Sequence, residues 1–387
     1  MRAKGTPHPP LPASGERVFR SCALLLVVAS GLGCTNFQDP TTVVDLRMLA
    51  VVVEPSEIIL DADLSNPLMP VVDPANNPPV MVTPLIVDPR GNGRDVTYTI
   101  SACPNDPFAP APPGGGQGGG AFPSGGARTT VGSALCDENS PTTWLLTPNA
   151  INARDPFQVQ PTVDELTVAF MKDIFPDQYS NLHGGFDLGM PLTLDIKVVA
   201  DGEEIRAVKR VMYWGQRIDA MQMPNQNPTI DAVDLFYARD DATFDPVDVP
   251  QPIPHDPGAD FDFDVKPGVS SIWIRPAKGN AESFETTVLD PDTHQAVPFT
   301  VPRETLRYRF FATAGTFLPP TTSSEPETGF VATGPIHIES EYQLPAASQL
   351  AVDSAGHAVV AIWIVVRDDR GGESWQQRNL RLTIAPP

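Results

Sequence analysis

Leu192, Leu194, Ile196, Val198 and Ala200 put an apolar side chain at every second position, and Asp201-Gly202 follows them. Successive side chains of a strand point to opposite faces, so this period buries one face and wets the other. Asp-Gly supplies the positive φ angles of a two-residue hairpin, and the chain returns through Ile205-Arg206-Ala207-Val208 toward Met212-Tyr213-Trp214. The same alternation runs through Val44, Leu46, Met48, Ala50 and Val52, and through Val96, Tyr98 and Ile100. It recurs in Leu306, Tyr308, Phe310 and Ala312, with Arg307, Arg309, Phe311 and Thr313 on the opposite face. In Ala358–Val366 both faces are apolar, which predicts a central strand covered on both sides. Asp368-Asp369-Arg370-Gly371-Gly372 turns the chain, and Leu380, Leu382 and Ile384 close it. The pattern predicts an all-β, antiparallel fold.

Three matches in the same order read as a diverged repeat. Val96–Ala102 and Leu306–Ala312 share the pattern apolar-x-Tyr-x-apolar-x-Ala. Ile86-Val87-Asp88-Pro89 parallels Val288-Leu289-Asp290-Pro291 as a strand end and turn. Each half ends in a long apolar strand, an Asp/Gly hairpin and a return strand carrying Trp214 or Trp375. The expected organisation is a first β domain over 43–216, a linker over 217–227 and a second β domain over 228–387. The first domain carries a Gly/Pro-rich insertion near 104–128. It also carries one short helix near 162–175, where Thr162 and Glu165 form a capping box and Pro176 stops the run.

These short strands and frequent turns resemble tandem immunoglobulin-like, or polycystic-kidney-disease-like, β-sandwiches. Asp45-Leu46-Arg47-Met48-Leu49-Ala50, with Glu54-Pro55, is similar to lipoproteins of myxobacteria and related deltaproteobacteria. So is Trp363-Ile364-Val365-Val366-Arg367-Asp368-Asp369-Arg370-Gly371-Gly372. No assigned activity comes with that family.

The N-terminus reads as an export signal over 1–33: Arg2, Lys4, Arg17 and Arg20, then the apolar run Cys22–Ala29, then Ser30 and Gly31. The run is much shorter than the ~20 apolar residues of a membrane span. Gly31-Leu32-Gly33-Cys34 resembles a lipoprotein signal through Gly33 and Cys34, which implies lipidation of Cys34 and a tether over 34–42. Ala29-Ser30-Gly31 also offers an ordinary cleavage site. Thr35 after the Cys implies, by analogy with enterobacterial lipoproteins, an outer-membrane location. Removing 1–33 leaves 22 basic against 46 acidic residues, a charge of −24. Such a surface repels phosphate, so nucleic acid is not an expected partner, and membrane attachment falls to the lipid.

In an oxidising envelope the remaining pair, Cys103 and Cys136, is expected to form a disulfide. No hydrolase elbow, phosphate-binding loop or paired-His metal spacing occurs, and the reading is non-catalytic: a binding or structural module for an envelope protein or a glycan. One cation site is a candidate. Asp260, Asp262 and Asp264 alternate with Phe261 and Phe263, so a strand there would turn three carboxylates to one side. Calcium suits such a set, and a solvated acidic loop is the alternative. A calcium-stabilised adhesin or glycan-binding protein is therefore the rival function, and no cofactor other than calcium is expected.

Overall fold

The computed structural model describes residues 40–60, 62–63, 71–72, 79–91, 93–104, 136, 143–146, 151–152, 156–159, 190–215, 224–243, 245–256, 258–277, 279–289, 296–324 and 337–384. The export signal, Cys34, nearly all of the Gly/Pro-rich insertion and the helix expected near 162–175 lie outside these residues. Contacts separate Met1–Pro40 from Thr41–Pro387, and the second unit is described here. Among its described residues the regular structure is strand, apart from one 3-10 turn at Ala347–Gln349.

Among the described residues seven strands carry most of the first half: β1 (Arg47–Glu54), β2 (Glu57–Leu60), β3 (Val80–Val87), β4 (Thr97–Pro104), β5 (Phe157–Val159), β6 (Met190–Ala200) and β7 (Glu203–Gly215). Eight frame the second: β8 (Val233–Phe236), β9 (Phe263–Val265), β10 (Ser271–Pro276), β11 (Arg307–Ala312), β12 (Thr321–Ser323), β13 (Ser340–Gln343), β14 (His357–Arg367) and β15 (Glu373–Thr383). One sheet of the first half runs β2-β7-β6-β4, with Trp144–Leu145 and Ile151–Asn152 on the free edge of β4, and its counterpart runs β9-β15-β14-β11-β12. In both, the first strand of that order lies parallel to its neighbour while the rest are antiparallel. The facing sheets are β1-β3-β5 and β8-β10-β13, the latter flanked by Gln251–Pro252 and Thr316–Leu318. Tyr98 pairs with Val198 and Tyr308 with Val366, at matching places in the two sheets. Each tyrosine is buried in its own core.

The alternating residues of β6 all enter the first core: Leu192, Leu194, Ile196, Val198 and Ala200. Asp201 and Gly202 take φ 47° and 83°, as the hairpin requires. In the second core, Tyr308, Phe310 and Ala312 of β11 meet Val360, Ile362, Ile364 and Val366 of β14. Phe317 lies between Phe310 and Tyr342, with ring centroids 5.2 and 4.9 Å away.

Two sequence expectations need correction. Val44, Leu46, Met48, Ala50 and Val52 do not share a face. The pairing of β1 with β3 shifts between Met48 and Ala50, and a shift of one residue turns every later side chain over. Leu46, Met48, Val51 and Val53 therefore enter the first core, while Leu49 and Ala50 point the other way. The match between Ile86–Pro89 and Val288–Pro291 also fails. Val288 and Leu289 end one arm of a separate hairpin, Phe284–Leu289 against Ala296–Val301, whereas the topological counterpart of β3 is β10.

The reversal in β1 has a purpose in the packing. Val43, Leu49, Ala50, Leu85 and Val87 form a third apolar cluster with Trp363 and Val365, joining the first half's small sheet to the outer face of β14. The double coverage read from the sequence holds from Trp363 to Arg367, while Val359 near the start of β14 is 49% exposed. The last residues of the expected tether are docked as well. Val43 N–H donates to Ala312 O at 2.7 Å, and Ala312 N–H donates to Thr41 O at 2.9 Å. Replacing Trp363 by Ala should open this third cluster and lower stability by about 3–5 kcal/mol in urea unfolding.

Candidate functional site

The line between the halves is sealed by charge as well as by apolar packing. Glu373, the first residue of β15, is 1% exposed. One carboxylate oxygen accepts from Arg367 Nε at 2.5 Å. The other accepts from Lys209 Nζ and from Val51 N–H, both at 3.2 Å. Lys209 and Val51 belong to the first half, Arg367 to the second. Lys209 Nζ also donates to Gly371 O at 2.6 Å, and Arg367 reaches Leu49 O at 3.4 Å.

A second cluster surrounds the tip of the β14–β15 hairpin. Asp368 folds back on its own turn, where one oxygen accepts from the N–H groups of Arg370 and Gly372 at 2.9 and 2.7 Å. Glycine at 372 makes room for this, because a Cβ there would lie 2.1 Å from the Asp368 carboxylate and push it off its partners. The other Asp368 oxygen accepts from Asn225 Nδ2 at 3.0 Å. Asn225, at the end of the expected linker, donates its N–H to Glu57 Oε2 at 2.8 Å and accepts from Ser56 Oγ at 3.0 Å. Arg370 then spans three glutamates: Glu57 at 3.3 Å, Glu304 at 3.5 Å, and Glu282 in direct hydrogen-bonded contact. Its guanidinium also covers the Phe284 ring, 4.4 Å from the centroid. Glu304 is fully buried, and burial together with the nearby Asp368 pushes its carboxyl up to about 7. Burial raises Asp368 too, against the opposing hydrogen bond from Asn225.

At the far end of the first half an open cleft of about 330 Å³ is lined by Asp45, Asp88, Arg90, Arg94, Asp201 and Glu203. Arg94 binds Asp88 at 2.6 Å and Glu203 at 2.8 Å, and Arg90 pairs with Asp45 at 2.7 Å. Through these pairs the side chains staple the β6–β7 hairpin to the loop after β3.

The sequence-derived residues fall in separate places. Cys103 and Cys136 form the expected disulfide, with Cα atoms 5.6 Å apart, which ties residue 136 to β4. Asp260, Asp262 and Asp264 do not share a face, since only Phe263–Val265 is strand. Asp260 is exposed. Asp262 accepts from Asp256 N–H at 2.9 Å and from Asn379 N–H at 2.6 Å, holding the loop to β15. Asp264 pairs with Arg381, whose guanidinium stacks 3.7 Å from the Phe261 centroid. Among the described residues no three acidic, His or Cys side chains come together as a metal site. The junction residues were not singled out from the sequence. One signal was available: Lys209 interrupts the inward series Ala207, Val211 and Tyr213, and a charge on an apolar face implies a buried partner.

No protein-family model matches the chain, and no curated protein matches it. Among solved structures, the chain is similar to dimeric latent PorU from Porphyromonas gingivalis at 11% sequence identity and a TM-score of 0.18. That match covers 89% of this chain and 24% of the other, so the chain spans only a fraction of that protein's length. At such a score the likeness carries no argument about fold or function.

Two outcomes follow from the bonding. Glu373→Ala strands Lys209 and Arg367 in the interior and should cost about 3–5 kcal/mol, with Glu373→Gln costing less. Asp262→Ala should lose about 1–3 kcal/mol, equally with and without a calcium chelator, because its oxygens serve backbone N–H groups.

Proposed function

We propose that the protein is a non-catalytic, exported lipoprotein, held at the outer membrane through Cys34. Its two immunoglobulin-like sandwiches act as one rigid body that presents loops and sheet edges to another envelope component, a protein or a glycan. Support for paired modules comes from the matching strand orders and from the equivalent places of Tyr98 and Tyr308. The observation that carries the reading is Glu373 bonded at once to Lys209, Val51 and Arg367. Charged side chains gathered in the interior are spent on fixing one half against the other, which suits a spacer or presenting surface. Sandwich folds host many activities, so the role rests on this use of the residues and not on the fold.

The anchor is tested in cells fed an alkyne fatty acid. The full chain should become labelled and sediment with outer membranes, and Cys34→Ser should abolish both. An unlabelled wild-type chain overturns the anchor. The presenting role is tested by crosslinking in intact cells: a discrete envelope protein or glycan joined to the chain supports it, and recovery of the chain alone counts against it.

A further inference from the structure

We propose that the hairpin tip Asp368–Gly372, with Glu304 and Glu282 packed against it, is a proton-controlled latch between the two halves: closed while Glu304 holds a proton, loosened when that proton passes to solvent. This goes beyond the presenting role and does not depend on it.

The geometry begins with an imbalance. Glu57, Glu282, Glu304, Asp368 and Glu373 converge on Lys209, Arg367 and Arg370, so carboxylates exceed cations at a junction from which water is largely excluded. Glu304 is the weakest-supported of the five. One oxygen accepts from Glu282 N–H at 3.1 Å, and the other has no hydrogen-bond donor among the described residues. The groups facing it come from every neighbouring segment. Glu282 precedes the 284–301 hairpin, Asp368 and Arg370 lie on the tip, and Glu57 reaches in from the first half through Arg370. On its own segment, Arg303 is exposed and Arg307 pairs with Asp369 at 3.3 Å; Asp369 also accepts from Thr305 N–H. Among the described residues the ion pairs place Arg370 against Glu304 at 3.5 Å, and that guanidinium is shared with two other glutamates.

A buried carboxyl raised to about 7 binds its proton more tightly in the closed junction than in water. The Glu304 contribution to closure is therefore fully present below the ordinary glutamate range, falls as pH rises toward 7, and is lost above it. The latch tightens in acid, opposite to an ordinary ion pair.

Amide hydrogen exchange on the full chain, corrected for intrinsic chemistry, reads this opening. The amides of Val51, Asn225 and Glu373 should open at least about tenfold more at pH 8 than at pH 5, with the core amides of Ile100 and Ile362 nearly unchanged. Glu304→Gln, which mimics the protonated acid, should remove the difference. Carbon-13 titration of the wild-type Glu304 carboxyl, which needs no variant, should show a midpoint near 7. Equal acceleration of core and junction amides, an unchanged profile in Glu304→Gln, or a Glu304 midpoint below about 5 would overturn the latch.

Discussion

A carboxylate that water scarcely reaches holds the two halves of this protein in register. Glu373 can be buried because a lysine and a backbone N–H from the first half and an arginine from the second satisfy it together. Removing any one partner leaves a charge or a polar group in a dry place, where it is expensive. Apolar contact among Trp363, Val365, Leu49 and Val87 supplies area but tolerates sliding. The ionic contacts do not, because their geometry is met in one arrangement. This division of labour explains why the last hairpin bears both an apolar strand and a charged tip.

Much of the architecture was legible from spacing alone. Leu192 to Ala200 and Leu306 to Ala312 alternate without interruption, and each keeps one face in one core. The double coverage of β14 was readable because Trp363 and Val365 are apolar on the face that alternation would otherwise give to solvent. The reading failed where period two itself failed. In β1 the register shift swaps faces after Met48, and the run from Met48 to Val53 is apolar enough to suit either side. The Val288–Pro291 match failed because strand ends and turns look alike wherever they occur.

The junction chemistry was far less visible. Glu57, Asn225, Glu304 and Glu373 are scattered over more than three hundred positions, and each in isolation looks like a solvated residue. They meet because β2 adds in parallel beside β7 and because the hairpin tip folds over the end of the linker. Such convergence belongs to topology, which local pattern does not encode. The acidic alternation of Asp260 to Asp264 failed in the opposite sense: a clear local pattern is divided among a solvent-facing side chain, a backbone clamp and an arginine pair.

Thr42 donates through its side chain to Gly315 O, a partner 273 positions further along the chain. Whatever order the rest of the molecule folds in, this contact waits until the ribosome has delivered most of the polypeptide. Segments paired across such distances form late, because the intervening loop must first be organised. The earliest described residues are therefore among the last to find their place. Their docking beside β11 acts as a clasp, joining the first described residues to a half made long after them.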